Sequence, residues 1–286
     1  MTVLARSALY LPASNARAIE KARGLNADAV VLDLEDAVAP DAKADARQAA
    51  VDALAAGGFA PRVGVRINGL DTPWGADDLA ALAAAEPAFV VAPKIESPEA
   101  VRALAARLPA GVALWIMIET PLSILRLDAI AGAGAPLEAL MLGTNDLADQ
   151  LNLIPGPERE PLKPWLAVVV AAARGHGLLA IDGVLNVTDD ADRLAAECRQ
   201  GRAFGFDGKS LIHPAQIDAA NAAFSPSPEE VARAREVVAA FAAPEAAGKG
   251  AIRLGSRMVE RLHLDAARRL LARHEAASTR PKVKPI

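Results

Sequence analysis

The stretch Ala29-Val30-Val31-Leu32-Asp33-Leu34-Glu35-Asp36 joins a short apolar run to an acidic end. The run Ala29–Leu34 is rich in Val and Leu without regular apolar–polar alternation, which is typical of a strand buried on both faces of a parallel sheet. Carboxylates at its C-terminal end occupy the position where α/β folds gather functional groups. The stretch therefore predicts an α/β protein whose chemistry lies at the strand ends.

Seven further runs of this kind follow the same pattern, and most begin about 22 to 26 residues after the preceding one. This spacing accommodates one strand, one helix and two loops. Alanine-rich segments such as Asp77–Ala85, Ala100–Arg107 and Leu166–Arg174 predict the intervening helices, because Ala has the highest helix propensity. Eight strand–helix alternations without a Gly-rich dinucleotide or P-loop motif favour a (β/α)8 TIM barrel over residues 1–224. The predicted strands are Ser7–Pro12, Ala29–Leu34, Val63–Asn68, Phe89–Lys94, Ala113–Glu119, Leu137–Gly143, Leu178–Val184 and Ala203–Lys209.

The composition of the 286-residue chain excludes several classes of protein. A single cysteine, Cys198, excludes a disulfide framework and a multi-cysteine zinc site. The net charge of −4 argues against nucleic acid as the main partner, since phosphate binding needs clustered excess Lys and Arg. No apolar run approaches the length of about 18 residues that a membrane span requires, and the N-terminus lacks a signal-peptide core. We therefore expect a soluble, cytoplasmic protein.

A C-terminal extension, residues 225–286, follows the predicted barrel. Its pattern predicts a helix over Glu229–Ala242, a Gly-containing link, and a final helix over Arg257–Glu275. A segment of this length is too short for a second core, and Gly-flanked helices at the end of a barrel are candidates for a lid or an inter-subunit arm. The tail from about Thr279 is expected to be disordered.

Charged residues stand at the ends of several predicted strands. Glu119 and Asp146 follow the fifth and sixth strands, where two carboxylates can converge on Mg²⁺, which prefers one or two such ligands. Arg66 ends the third strand, and its planar fork suits a carboxylate or a developing oxyanion. Alternatively, each carboxylate caps the following helix, and Arg66 pairs structurally with the acidic cluster Glu35–Asp36. No Gly-x-Ser-x-Gly elbow is present, so a serine hydrolase is not expected.

Seven motifs at the strand ends carry a resemblance to a known family. From about Arg6 to Arg273, the chain resembles the citrate lyase β-subunit group of the HpcH/HpaI aldolase superfamily, in which these motifs follow the same order. The motifs are Leu32–Val38 with Lys43 and Arg47, Arg66–Asn68, Pro93–Lys94, Glu119–Pro121, Asn145–Leu147, Gly205–Lys209 and Ile212–Gln216.

This resemblance implies a Mg²⁺-dependent lyase that cleaves a 3-hydroxyacyl-CoA thioester of the citryl-, malyl- or citramalyl-CoA type into an acetyl thioester and a 2-oxo acid. Glu119 and Asp146 are then the expected metal ligands. Arg66, together with Glu119, is expected to bind the oxo-acid fragment and to stabilise charge on the oxygen that becomes a carbonyl. Glu35 and Asp36 are expected to hold metal-bound waters or to orient Arg66.

The resemblance also implies partners. CoA phosphates are expected near Arg17, Lys21 or Lys43 at the barrel rim. Family members are typically homotrimers or hexamers, and a citrate lyase-type complex with further subunits is a possible setting. We expect neither a nucleic-acid nor a membrane partner.

Two positions depart from the family pattern. Glu260, in Ser256–Glu260, stands where relatives often carry an Asp that serves a neighbouring subunit as acid/base, and its extra methylene can shift proton-transfer geometry. Asn152 stands where relatives commonly have Gly. A malyl-CoA-type thioesterase or condensing enzyme, a non-catalytic subunit that binds CoA or an oxo acid, and a class II aldolase acting without CoA therefore remain as alternatives.

Overall fold

A computed structural model of the chain describes residues 3–134, 136–243 and 246–279. Eight parallel strands pair with their neighbours in chain order, and pairing of the first with the last closes the barrel. The predicted (β/α)8 barrel is thereby confirmed. The strands are β1 (Ser7–Pro12), β2 (Ala29–Asp33), β3 (Arg62–Arg66), β4 (Phe89–Ala92), β5 (Ala113–Ile118), β6 (Leu137–Leu142), β7 (Leu179–Asp182) and β8 (Gly208–Leu211).

Ten α-helices belong to the described part of this barrel unit, residues 5–224. The predicted helical segments coincide with three of them, the third, fourth and eighth. Among the described residues, no helix combines the length and apolarity needed to cross a bilayer. The helices are α1 (Ala16–Ala22), α2 (Lys43–Ala56), α3 (Gly75–Ala85), α4 (Pro98–Ala105), α5 (Pro121–Leu125), α6 (Leu127–Ala131), α7 (Thr144–Gln150), α8 (Lys163–Gly175), α9 (Ala191–Phe204) and α10 (Ile217–Phe224).

Alternate residues of β1, β2, β4, β5, β6 and β7 pack in two different cores. In β2, Ala29 and Val31 pack in a cluster with Phe89 and Trp115, whereas Val30 belongs to the larger cluster that the strands form with the helices. The Phe89 and Trp115 rings stack at 4.0 Å between centroids and fill the barrel interior. Every second residue of a strand therefore faces the barrel interior. This alternation decides which polar side chains meet at the open end of the barrel.

The eighth strand lies later in the chain than predicted. The segment Ala203–Lys209 begins as the last turn of α9, which continues to Phe204, and β8 starts only at Gly208. Gly205 ends the helix with φ +102°, a left-handed conformation that glycine adopts without steric cost. The apolar run at this position was thus partly a helix end, and β8 is correspondingly short.

The described residues from Ser225 onward form a second compact unit together with residues 3–4. This unit contains α11 (Pro228–Ala242), the antiparallel strands β9 (Ala251–Leu254) and β10 (Arg257–Glu260), and α12 (Arg261–Ser278). The expectation of helix from Arg257 is wrong, because a two-residue turn with Gly255 at φ +60° pairs β10 with β9. Of the predicted disordered tail, Thr279 caps α12, and the remainder lies outside the described residues.

Candidate active site

A cavity of about 430 Å³ opens at the C-terminal ends of the barrel strands. Residues from the ends of β1, β2, β3, β5, β6 and β8 line it, so it lies on the face where this fold places functional groups. Its polar lining side chains include Tyr10, Asp33, Asp36, Arg66, Asn145 and Asp146.

The guanidinium of Arg66 is fixed at the wall of this cavity. Its Nε and Nη2 donate to the two Asp33 carboxylate oxygens at 2.7 and 2.6 Å, a bidentate pair that follows from the β2–β3 register. Its Nη1 lies 2.8 Å from Glu35 Oε2 and 3.6 Å from Asp36 Oδ2, and its Cζ lies 5.1 Å from the Tyr10 ring centroid. Burial opposes the charge of Arg66, but Asp33 outweighs it and raises the Arg66 pKa. Arg66 is therefore a rigid, permanent cation.

Asp33 is a site residue that the sequence analysis did not single out. It follows Ala29 and Val31 at every second position of β2, so its carboxylate shares their interior-facing side. Its oxygens also accept the backbone N–H groups of Glu35 and Ala37. The alternation of side chains along a strand predicts this orientation and could have identified Asp33 from the sequence.

The buried carboxylate of Glu35 lies between two cations. Lys94 Nζ donates to its Oε1 at 3.0 Å, whereas Oε2 receives no hydrogen bond from the described groups, since the Arg66 contact lacks suitable geometry. Burial raises the pKa of Glu35 despite the opposing charges of Arg66 and Lys94. Glu35 thus keeps an unused acceptor and a carboxyl group that is easier to protonate than usual.

Glu119 and Asp146 form the predicted metal-binding pair. Glu119 is almost fully buried after β5, and its Oε1 accepts the Lys94 backbone N–H at 2.7 Å. Burial raises the pKa of Glu119 to about 7, and the negative charges of Glu35 and Asp146 add to this shift. Glu119 Oε2 lies against Gly143, where a Cβ atom would come within 2.5 Å of it. Gly143 also lines the cavity, so this carboxylate and the half-buried Asp146 belong to one site.

The donor set of this site fits a Mg²⁺ ion. Two hard carboxylates repel each other there, and a divalent cation would relieve that repulsion. The described residues contain no cluster of three or more His, Cys, Asp or Glu side chains that could hold a metal by themselves.

Lys43 is buried against a loop, and does not lie at the surface as the predicted CoA contact requires. Its ammonium is buried and donates to the carbonyl oxygens of Leu34 and Glu35 at 2.9 and 3.0 Å, with the Trp74 ring centroid 5.0 Å away. These contacts fix the loop that carries Glu35 and leave no ammonium at the surface for a phosphate. We therefore remove Lys43 from the candidate CoA contacts, while Arg17 and Lys21, exposed on α1, stay predictions.

Glu260 and Asn152 are the two positions that depart from the expected family pattern. Glu260 lies in the C-terminal unit, is exposed, and its backbone N–H donates to His263 Nδ1 at 2.9 Å at the start of α12. Its acid/base role stays a prediction. Asn152 adopts φ +53°, a left-handed conformation that Asn tolerates, so it can occupy the position where relatives commonly have Gly.

A second buried ionic cluster was also missed. Lys209 on β8 is fully buried, and its Nζ lies 2.6 Å from the Gly183 carbonyl, 3.1 Å from Glu197 and 3.5 Å from Asp182. Arg159 Nη1 donates to both Asp182 oxygens at 2.9 and 3.0 Å. Burial would raise the pKa of Asp182, but Lys209 and Arg159 outweigh it and lower the pKa. Because Glu197 lies on α9, this cluster joins the sheet to a helix.

The comparisons with known proteins agree with the fold. Residues 6–214 match the model of the HpcH/HpaI aldolase/citrate lyase family. A (3S)-malyl-CoA thioesterase of Cereibacter sphaeroides is 46% identical over 95% of both chains. An L-malyl-CoA/beta-methylmalyl-CoA lyase of the same species is 35% identical over 89% of this chain and 90% of its own.

A solved structure gives the same assignment. The protein CitE from Mycobacterium tuberculosis, in complex with magnesium, acetoacetate and coenzyme A, superposes with a TM-score of 0.77 at 33% identity, covering 94% of this chain and 97% of that chain. The resemblance inferred from the strand-end motifs is thereby confirmed. The chain belongs to the HpcH/HpaI aldolase/citrate lyase family.

Proposed function

We propose that this protein is a Mg²⁺-dependent enzyme that hydrolyses a malyl-type CoA thioester. The observation that carries the proposal is that the Asp33-held Arg66 and Asp146 line one cavity, with the buried Glu119 carboxylate against Gly143 in its wall. A fixed guanidinium beside a cation site suits an acyl group that carries a carboxylate and a neighbouring oxygen. The thioesterase at 46% identity favours hydrolysis over carbon–carbon cleavage.

Each site residue then has a defined task. Arg66 binds the substrate carboxylate, and Asp33 is a positioning residue that keeps the guanidinium in place. Glu119 and Asp146 hold Mg²⁺, which when bound polarises a substrate oxygen as a Lewis acid. Glu35 holds Arg66 and Lys94 in their present arrangement through its two oxygens.

Asp36 is the candidate general base for hydrolysis. Its side chain is 58% exposed, lines the cavity and lies 3.6 Å from Arg66 Nη1. It can take a proton from a water molecule that attacks the thioester carbonyl and return it to the CoA sulfur as the carbon–sulfur bond breaks. The products are free CoA and a hydroxy acid.

Carbon–carbon cleavage is the second candidate, favoured by the lyase at 35% identity and by the likeness to CitE. Here a base removes the proton of the 3-hydroxyl, the carbon–carbon bond breaks, and the acetyl-thioester enolate takes up a proton. Arg66 would stabilise the oxygen that becomes the carbonyl of the 2-oxo acid. Glu260 is the candidate proton donor for the enolate.

Product analysis separates these reactions. The purified protein is incubated with Mg²⁺ and malyl-CoA, citryl-CoA or citramalyl-CoA, and the products are identified by mass spectrometry. Free CoA with the intact hydroxy acid, malate from malyl-CoA, supports hydrolysis, whereas acetyl-CoA with a 2-oxo acid, glyoxylate from malyl-CoA, supports the lyase. Asp146→Ala is expected to abolish both Mg²⁺ binding and turnover with the fold retained. Wild-type protein that turns over none of the three thioesters would contradict an enzymatic role and favour a binding subunit.

We also infer that the protein works as a homotrimer or hexamer in the cytoplasm. The C-terminal unit, with its hairpin and the 18-residue helix α12, is the candidate lid or inter-subunit arm. Light scattering on the purified protein measures the assembly directly, and a monomer at all concentrations would contradict this inference.

A further inference from the structure

We propose that a second cavity, beside the candidate active site, binds a small oxyanion through Arg159 and Arg193. This cavity has a volume of about 290 Å³ and lies among α7, the loop that precedes α8, the end of β7, and α9. Asn145 and Asn186, whose side-chain amides hydrogen-bond to each other at 2.9 and 3.3 Å, line both cavities. The two cavities therefore share a wall but have different charged linings.

Arg159 supplies the first observation for an anion site. Its side chain is 5% exposed and lines the cavity. Nε donates to Gln200 at 2.9 Å and Nη1 to Asp182, but the buried Nη2 has no acceptor among the described groups. An unsatisfied buried donor on a cation is costly, so this nitrogen favours any acceptor that enters the cavity.

The charge balance of the surrounding cluster supplies the second observation. Three cations, Arg159, Arg193 and Lys209, face two carboxylates, Asp182 and Glu197, which leaves one positive charge in excess. Arg193 Nε lies 3.5 Å from Glu197 Oε1 but makes no hydrogen bond to it. Glu197 also lines the cavity, but it is already shared by the three cations. One bound anion would neutralise the excess.

The backbone at Arg159 is the third observation. Its φ is +53°, a left-handed conformation that is strained for a non-glycine residue and persists where the surroundings enforce it. The Arg159 backbone N–H donates to the Gly156 carbonyl at 3.0 Å, and the side chain is held by Asp182 and Gln200. This conformation places the guanidinium at the cavity wall with Nη2 unused.

The chemistry of these donors defines the ligand class. A guanidinium N–H, a second arginine and two amides match a carboxylate or a phosphate, each with several acceptor oxygens. Two sources fit this class: free inorganic phosphate or a small organic dicarboxylate. Both would bind at Arg159, and their relative affinities distinguish them.

Titration with each anion tests the proposal. Inorganic phosphate and malonate are titrated separately into the full-length protein by calorimetry at constant ionic strength, with chloride as the reference anion. Saturable binding of one site per chain is expected. Arg193→Met, at a residue one-third exposed, is expected to weaken binding about tenfold, because one charge-assisted hydrogen bond is lost. Arg159→Lys, which keeps the charge but loses the fork, is expected to weaken it similarly.

The matched control is Arg199→Met. Arg199 is exposed on the same helix α9, and this variant is expected to bind both anions as the wild-type protein does. Tighter binding of phosphate or of malonate identifies the ligand, and either result supports the site. Absence of saturable binding by folded wild-type protein would overturn the proposal. Equal weakening by Arg199→Met and Arg193→Met would overturn it as well, since a general surface charge would then explain the binding.

Discussion

Two buried ionic clusters in the same barrel differ in charge balance and in position. The cluster at the mouth brings together five carboxyl groups and two cations, Arg66 and Lys94. The cluster at β7, β8 and α9 has two carboxylates and three cations. Two of the acidic groups at the mouth, Glu35 and Glu119, have raised pKa values, whereas the pKa of Asp182 in the other cluster is lowered.

The difference separates a cluster that needs an added cation from one whose own cations already stabilise its carboxylates. In the β7–β8 cluster the cations stabilise the charged form of Asp182, so the ion pairs hold the sheet to α9. At the mouth, burial and like charges oppose ionisation of Glu119, and an additional cation is needed to stabilise it. An excess of buried carboxylates at an open cavity thus indicates a cation site, whereas an excess of buried cations gives ion pairs that stabilise the fold and favours an added anion.

The largest expected effect is on stability, from Asp182→Ala. This change leaves Lys209 and Arg159 buried with only Glu197 as a counter-charge. Breaking a buried pair in this way costs about 3–5 kcal/mol, so the free energy of unfolding in urea should fall by that amount. Asp36→Ala is the matched control at the mouth.

The control removes a carboxylate from the acid-rich cluster, where its charge raises the pKa of Glu35. Its free energy of unfolding is therefore expected to equal or slightly exceed that of wild type, with turnover lost. Equal destabilisation by the two substitutions would contradict the distinction between the clusters.

An intermediate effect is expected from Gly143→Ala. The added methyl group would lie within 2.5 Å of Glu119 Oε2 and displace this carboxylate. Displacing a metal ligand indirectly typically costs about 10- to 100-fold in affinity or activity, and Mg²⁺ affinity measured by calorimetry should fall by this factor. Gly175→Ala, where nothing lies within 4 Å of the new Cβ, should leave the affinity unchanged. Wild-type affinity in Gly143→Ala would place the metal away from Glu119.

The smallest expected effect is a pH dependence of thermal stability. Because the pKa of Glu119 is raised to about 7, this group loses its proton at higher pH in the fold than in the unfolded chain. Its contribution to the free energy of unfolding therefore falls as pH rises from about 4.5 to about 7. Mg²⁺ binding needs the deprotonated carboxylate, so the rise in Tm caused by Mg²⁺ should grow over the same interval. Glu119→Gln should remove this growth, and an equal Mg²⁺ effect at about pH 5.5 and pH 8 would contradict the assignment.

Much of the fold could be predicted because strand spacing and apolar runs are local properties of the sequence. The run before Lys209 was wrongly predicted as a strand, since an apolar helix end before Gly205 has the composition of a strand. The hairpin at Gly255 was also missed: its four-residue strands are mostly exposed, and so lack the apolar pattern that marks a buried strand.

The candidate site could be predicted in part. Arg66, Glu119 and Asp146 stand at strand ends, where the barrel geometry brings distant positions together. Asp33 is the last residue of β2, and only the alternation of side chains along this strand indicates that it faces Arg66. Lys43 is buried because it donates hydrogen bonds to the carbonyl oxygens of Leu34 and Glu35. No local pattern of the sequence specifies such packing.

The most direct test of the distinction between the two clusters is the location of a divalent cation in a crystal of the protein. Crystals grown with Mn²⁺, which shares the oxygen preference of Mg²⁺, would be measured for anomalous scattering. We predict one peak within coordination distance of the Glu119 and Asp146 carboxylates and none at Asp182 and Glu197. A peak at Asp182 and Glu197, or none at Glu119 and Asp146 at saturating Mn²⁺, would contradict the account.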